Sequence, residues 1–368
     1  MRCALIMAGG AGTRLWPMSR ARRPKQLIPF LEGKSLLELA FERFEGLLPA
    51  AARYVCAGQQ DREAILAALP SLRPEHFLGE PVGRDTLNAA GLGAAVLGRN
   101  DPEAVIGVFT ADHLIEPAEE FRRVIALGFE LVERDPRTMV TFGIAPTGPA
   151  TGYGYLELGP PLEPPLGPTA RAVRQFREKP PLAVAQQYVE AGPERYLWNS
   201  GMFVWRAATL LDCIRRYEPA VWEGLRAIAQ AWDAPQREQV LAQVYPTLKR
   251  ISVDFAVMEP ASRDPAVRVA AIPMRLRWLD VGSWPSFAET CAQDAQGNAL
   301  AAPRRLLCDS ARCLVASNDP EHLVAVVGCQ DLVVIHTPDV TLVCRADMAE
   351  KIKDAHKLAD AQFGGRYT

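Results

Sequence analysis

The stretch Cys3-Ala4-Leu5-Ile6-Met7-Ala8-Gly9-Gly10-Ala11-Gly12-Thr13-Arg14-Leu15-Trp16-Pro17, followed by Arg22-Arg23-Pro24-Lys25-Gln26, decides how this chain reads. Its opening apolar run has the length of a buried strand. A strand that runs into a glycine cluster leaves backbone N–H groups at its carboxyl end with no Cβ to keep an anion away. Arg14, Arg22, Arg23 and Lys25 place positive charge beside the same spot. Together they predict a site for several phosphates. The dinucleotide fingerprint is excluded because Leu15 stands where its third glycine belongs. A P-loop is excluded because Ile28 stands five residues ahead of Gly33-Lys34-Ser35.

Moving outward, short strands alternate with helices. Apolar spacing predicts a helix over Ser35 to Glu45, a strand over Arg53 to Ala57, a helix over Asp61 to Leu69, and a strand over Val105 to Phe109. This βαβ rhythm predicts an α/β fold with a Rossmann-like, mostly parallel sheet. Ligands gather beyond the carboxyl ends of such strands, where the glycine turn lies. Glu80-Pro81-Val82-Gly83-Arg84-Asp85-Thr86 is a polar loop leading into a small-residue helix over Leu87 to Leu97; it is a connector with an N-cap or a base- and ribose-binding loop. Asp112 follows a strand end, as a turn residue or a carboxylate within reach of the phosphates.

These segments resemble the sugar-1-phosphate nucleotidylyltransferases. Gly-Gly-x-Gly-Thr-Arg-Leu-Trp-Pro followed by Pro-Lys-Gln is similar to the guanylyl branch that acts on mannose 1-phosphate. Five later segments match in order: Glu80 to Thr86, with Asp85 where Asn is usual; Asp112; Gly152-Tyr153-Gly154-Tyr155; Phe176-Arg177-Glu178-Lys179-Pro180; and Trp198-Asn199-Ser200-Gly201. Asp280, in Trp278-Leu279-Asp280-Val281-Gly282, completes the set. The resemblance implies that Ala8, Gly9, Gly10, Gly12, Thr13, Arg14, Lys25, Glu80, Pro81, Gly83, Arg84, Thr86 and Asp112 bind the nucleotide. It implies that Gly152, Tyr153, Glu178, Lys179, Asn199 and Asp280 bind the sugar, and that Asp112 and Asp280 hold Mg²⁺. Arg14, Lys25 and Lys179 are its expected catalytic charges, and GTP and mannose 1-phosphate its expected substrates. A different nucleotide or sugar 1-phosphate, or a non-catalytic nucleotide-sugar-binding subunit, stays open at this point.

Residues 1–290 read as the nucleotidyltransferase domain and 291–305 as a linker. Residues 306–368 read as a small β-rich domain ending in a helix over Ala346 to Ala361, resembling the family's left-handed β-helix. Its strand runs are too few for a free-standing solenoid, so docking on the large domain or another subunit is expected, with a homodimer as the assembly. The net charge of -2 argues against a nucleic-acid surface. No apolar stretch reaches membrane-spanning length, and no signal peptide is legible. Eight scattered Cys without Cys-x-x-Cys spacing fit a reducing cytoplasm; the 5 His show no metal-ligand spacing, which argues against structural zinc.

Overall fold

The structure is a computed structural model that describes residues 1–10, 12–21, 23–31, 33–162 and 170–368. Arg22, counted above among the basic residues, and most of the Pro160–Pro168 loop lie outside the described residues. The chain forms two compact units that interleave in sequence. The first comprises Met1–Gly9, Phe41–Ala111 and Ile115–Trp278; the second comprises Gly10–Ala40, Asp112–Leu114 and Leu279–Thr368.

The first unit is built on nine strands: β1 (Arg2–Met7), β2 (Arg53–Gly58), β3 (Phe77–Glu80), β4 (Val105–Thr110), β5 (Thr138–Ile144), β6 (Tyr155–Pro161), β7 (Arg171–Arg177), β8 (Tyr196–Arg206) and β9 (Arg268–Pro273). They form one sheet in the order β3-β2-β1-β4-β8-β5-β9-β7-β6. Strands β1 to β4 are mutually parallel, as the βαβ rhythm predicts. Beyond them β8 inserts antiparallel between β4 and β5, and β7 runs antiparallel to both β9 and β6. Cys3, Ala4, Leu5 and Ile6 of β1 are fully buried, as befits a parallel strand covered on both faces. Helix α1 (Thr86–Gly98) is buried along almost its whole length, while α2 (Ala118–Arg134) has a clear apolar face. The helical stretch after Trp205 is divided by Pro219 into α3 (Ala207–Tyr217) and α4 (Pro219–Ala231), because proline favours the first turn of a helix over its interior.

The second unit carries β10 (Ala299–Ala301), β11 (Arg304–Cys308), β12 (Leu314–Ser317), β13 (Leu323–Val327), β14 (Leu332–His336) and β15 (Thr341–Arg345), then α5 (Ile352–Phe363). The parallel ladders β10–β12–β14 and β11–β13 are the rungs of the expected β-helix, and β15 closes antiparallel on β14. Two features differ from the division expected along the chain. Strands β10 and β11 begin inside the stretch read as a linker. Residues 10–40 also belong with the C-terminal rungs, because Leu15, Trp16, Met18 and Ile28 share one buried core with Val281, Trp284, Leu314 and Ile335. The Trp16 indole N–H donates to the Tyr367 carbonyl at 2.7 Å, and that of Trp284 donates to the Trp16 carbonyl at 3.0 Å.

Candidate active site

In the second unit the glycine turn is shaped by its own backbone. Gly10 and Gly12 have φ of 103° and 58°, a region costly for other residues. A Cβ on Gly12 would also stand 2.8 Å from Lys25 Cβ, so the turn and the lysine stem pack with no room for a side chain. Thr13 and Arg14 follow in a short 3₁₀ turn. Lys25 Nζ bonds Asp112 Oδ2 at 2.5 Å, with the two side chains only 13% and 23% exposed. His113 Nε2 lies 3.8 Å from the other Asp112 oxygen. Burial pushes the Asp112 carboxyl up, but Lys25 and His113 outweigh it and hold the group below its usual range. It is therefore a carboxylate at neutral pH.

The Val281 N–H donates to the Asp112 carbonyl at 3.0 Å, which brings Asp280 to the neighbouring strand. A Cβ on Gly282 would meet Arg14 Nη2 at 3.0 Å and Asp280 Oδ1 at 3.2 Å, so both groups flank that glycine. Arg14 also pairs with Glu350 at 3.1 Å, with both side chains largely exposed. Such a contact is worth at most about 1 kcal/mol and is readily exchanged for a phosphate. The structure thus gathers Gly10, Gly12, Thr13, Arg14, Lys25, Asp112 and Asp280 within one unit. Asp112 and Asp280 supply the oxygen donors that a hard cation such as Mg²⁺ takes, which normally completes its shell with water and substrate phosphate. The donor set fits that ion.

In the first unit, Ala8 and Gly9 directly follow β1, with the Ala8 N–H bonded to the Cys56 carbonyl at 2.8 Å. Glu80 is buried at the end of β3 and accepts the Tyr245 hydroxyl at 2.6 Å. Burial raises its pKa, and the Tyr245 and Arg84 hydrogen bonds oppose the rise. Pro81 lines a cavity of about 760 Å³ with Gln59, Arg62, Gly79 and Arg237. Gly83 is exposed, whereas Arg84 donates to the Pro246 carbonyl and Thr86 Oγ1 accepts the Val253 N–H at 3.0 Å. Asp85 caps α1 by accepting the Thr86 N–H at 2.8 Å, so the residue that departs from the expected Asn serves its own helix.

The sugar-side residues gather in the same unit. Gly152 is exposed, and the Tyr153 ring packs edge-on against Trp198 and Trp278 at 5.2 and 5.4 Å. Lys179 Nζ pairs with Glu178 Oε1 at 3.1 Å. Lys179 itself sits at φ 45°, a strained backbone for a side-chain-bearing residue. Glu178 Oε2 is buried without a hydrogen-bond partner among the described residues, and a Cβ on Gly154 would stand 2.5 Å from it. Asn199 is buried; its amide accepts from Thr141 at 2.7 Å and donates to Asp254 Oδ1 at 2.8 Å. Burial, then Glu178, raises the Asp254 carboxyl to about 7. Glu259 accepts the Glu178 N–H at 3.3 Å and, with Phe255 and Arg263, lines a 430 Å³ cavity beside Glu178.

Sequence reasoning sets apart the Asp254–Glu259 segment but assigns no role to Asp254 or Glu259, and it does not reach Tyr245. Tyr245 is far along the chain from Glu80, and no local pattern joins them. Nothing in Asp254-Phe255-Ala256-Val257-Met258-Glu259 itself says what its two acids face; only the packing puts them beside Glu178 and Asn199.

The profile of the family described as Nucleotidyl transferase matches residues 3–297, and that of the MannoseP isomerase/GMP-like beta-helix domain matches residues 304–357. The xanthan biosynthesis protein XanB of Xanthomonas campestris pv. campestris is 34% identical over 356 residues, 95% of this chain and 71% of that protein. A mannose-1-phosphate guanylyltransferase of Escherichia coli K12 is 34% identical over 362 residues, again 95% and 71%. The crystal structure of a Thermus thermophilus protein described as mannose-1-phosphate geranyltransferase superposes with a TM-score of 0.84. It is 34% identical, with 98% of this chain and 99% of that one covered.

Proposed function

The chain belongs to the nucleotidyl transferase family, and on that premise we propose that it transfers GMP from GTP to α-D-mannose 1-phosphate, giving GDP-mannose and pyrophosphate. The observation that carries the proposal is the Lys25–Asp112 pair packed against the Gly10–Gly12 turn. It is a fixed cation and a fixed anion beside bare backbone, the chemistry that nucleoside triphosphate binding needs.

An oxygen of the sugar phosphate attacks the α-phosphorus of GTP as the bond to the β-phosphate oxygen breaks and pyrophosphate leaves. Both reactants are anions, so the main task is neutralisation and alignment. The glycine turn and Thr13 would hold the triphosphate through backbone N–H groups. Arg14 would exchange Glu350 for the leaving pyrophosphate, and Lys25 would stabilise charge growing at the α-phosphoryl group. Glu80, Pro81, Gly83, Arg84 and Thr86 would take the nucleoside. Lys179 would hold the attacking phosphate, while Glu178 Oε2, a buried acceptor, would take a sugar hydroxyl. Asn199 would work through Asp254. Asp112 and Asp280 would hold Mg²⁺, which when bound would neutralise phosphate oxygens of both reactants. No general base is needed, since a phosphate monoester is largely ionised near neutral pH.

Guanine is supported by the Trp16-Pro17 and Pro24-Lys25-Gln26 steps and by the name of the E. coli relative. Side-by-side turnover of GTP, ATP, UTP and dTTP with mannose 1-phosphate tests it: GTP should lead clearly, and equal turnover of UTP or dTTP would reassign the base. A homodimer in a reducing cytoplasm completes the reading. Exposed Leu306, Leu323, Val327 and Val343 on the C-terminal strands and eight free cysteines support it. Light scattering tests the dimer.

A further inference from the structure

We propose that Asp319, His322 and His336 form a binding site for one divalent transition-metal ion of the Zn²⁺ class, separate from the Asp112–Asp280 pair. One ligand atom from each residue lies within 4.8 Å of the other two. Zinc bonds of about 2.0–2.2 Å place tetrahedral donors about 3.3–3.6 Å apart, a distance that side-chain rotation alone reaches. Two imidazoles and one carboxylate suit Zn²⁺, Co²⁺ or Ni²⁺ and not the all-oxygen preference of Mg²⁺.

The backbone holds the three residues in place. In the parallel β12–β14 ladder Ser317 pairs with His336, and the Asn318 N–H donates to the His336 carbonyl at 3.3 Å. The following turn is fixed twice: the Asp319 N–H donates to Ser317 Oγ at 3.1 Å, and the Glu321 N–H donates to Asp319 Oδ1 at 3.0 Å. That turn delivers His322 against His336, their rings stacked with centroids 3.5 Å apart. An imidazole lone pair lies in its ring plane, so binding one ion requires the two stacked rings to turn until a nitrogen of each faces it. His336 Nδ1 shares a 3.0 Å hydrogen bond with Thr341 Oγ1. With Nδ1–H as donor, Nε2 keeps its lone pair for the ion, the usual outer support of a ligating histidine. The nearby charges are accounted for: Glu321 pairs with Arg304 at 2.7 Å and Asp339 with Arg20. A bound ion would clip the β12–β13 turn to the end of β14. Its fourth position, beside exposed His322, is open to water or to a donor from another molecule.

The test is Co²⁺ titration of the chelator-treated full chain, followed by its visible absorption. A single Co²⁺ per chain, displaced by Zn²⁺, is expected. His322→Ala should weaken binding by more than about 100-fold, and Thr341→Val by about 10–100-fold. His322 is exposed and Asp319→Asn keeps the acceptor for Glu321, so both variants should fold with wild-type circular dichroism and unchanged turnover at saturating Mg²⁺. Zn²⁺ should raise the melting temperature of the wild type and not of His322→Ala. Absence of a Co²⁺ spectrum in the wild type, or an equal one in His322→Ala, overturns the site.

Discussion

Replacing Lys25 by Met removes one charge and keeps the stem that packs on Gly12. The side chain is 13% exposed, so solvent screens its charge weakly. At an effective dielectric near 20, a unit charge about 4 Å from a developing phosphoryl charge contributes about 4 kcal/mol. Loss of a single preorganised donor costs about 2.7–4 kcal/mol in known cases, which agrees. Turnover of Lys25→Met should therefore fall about 100- to 1,000-fold, measured as pyrophosphate release at saturating GTP and sugar phosphate. The substitution also strands Asp112, whose low pKa depends on Lys25. A partly buried carboxylate that loses its hydrogen-bonded lysine and keeps His113 at 3.8 Å costs up to about 1–3 kcal/mol, so some stability should go with the activity. The double variant Lys25→Met/Asp112→Asn separates the two effects, since it removes the stranded charge and should recover stability without recovering turnover. Near-wild-type turnover of Lys25→Met would refute the reasoning, because no other described lysine or arginine pairs with Asp112.

Three further outcomes are expected. Asp112→Asn and Asp280→Asn should each raise the Mg²⁺ concentration needed for half-maximal rate; unchanged metal titrations in both would remove them from the metal role. Glu178→Gln should raise KM for the sugar phosphate by about 10- to 100-fold, the loss of a charge-assisted hydrogen bond of about 1.5–3 kcal/mol, with KM for GTP unchanged. A shift confined to GTP would place Glu178 on the wrong substrate. For Asp254, raised from 3.8 to about 7, the folded chain holds a proton that the unfolded chain has lost throughout that window. Stability should therefore fall as pH rises from about 4 to 7 and level above it, by at most about 4 kcal/mol. Asp254→Asn should flatten the slope in urea unfolding across that range, and superimposable profiles would contradict the assignment.

The glycine turn, the parallel strands β1, β2 and β4 and the C-terminal rungs were legible because each rests on local pattern: continuous apolar runs, punctuating glycines and short strands at even intervals. The antiparallel insertion of β8 was not, since Leu197 to Trp205 looks the same in either direction. The grouping of Trp16 with Trp284 and Ile335 was also hidden, because pairing across the chain leaves no periodic trace. Among site residues, those in contiguous motifs could be named in advance. Asp254 and Tyr245 are tied to site candidates by one hydrogen bond each, to Asn199 and Glu80, and only packing reveals such partners. Asp319, His322 and His336 fail every spacing rule for a metal site, yet the rungs stack them together.

In the proposed reaction this chain joins two anions through the α-phosphorus of GTP. Incubating it with GTP, mannose 1-phosphate and Mg²⁺, then quantifying products by ion-exchange chromatography, tests this most directly. GDP-mannose and pyrophosphate should appear in equal amounts, and only when both substrates are present. GTP left intact, or cleaved to GDP and orthophosphate with no sugar nucleotide formed, would contradict it.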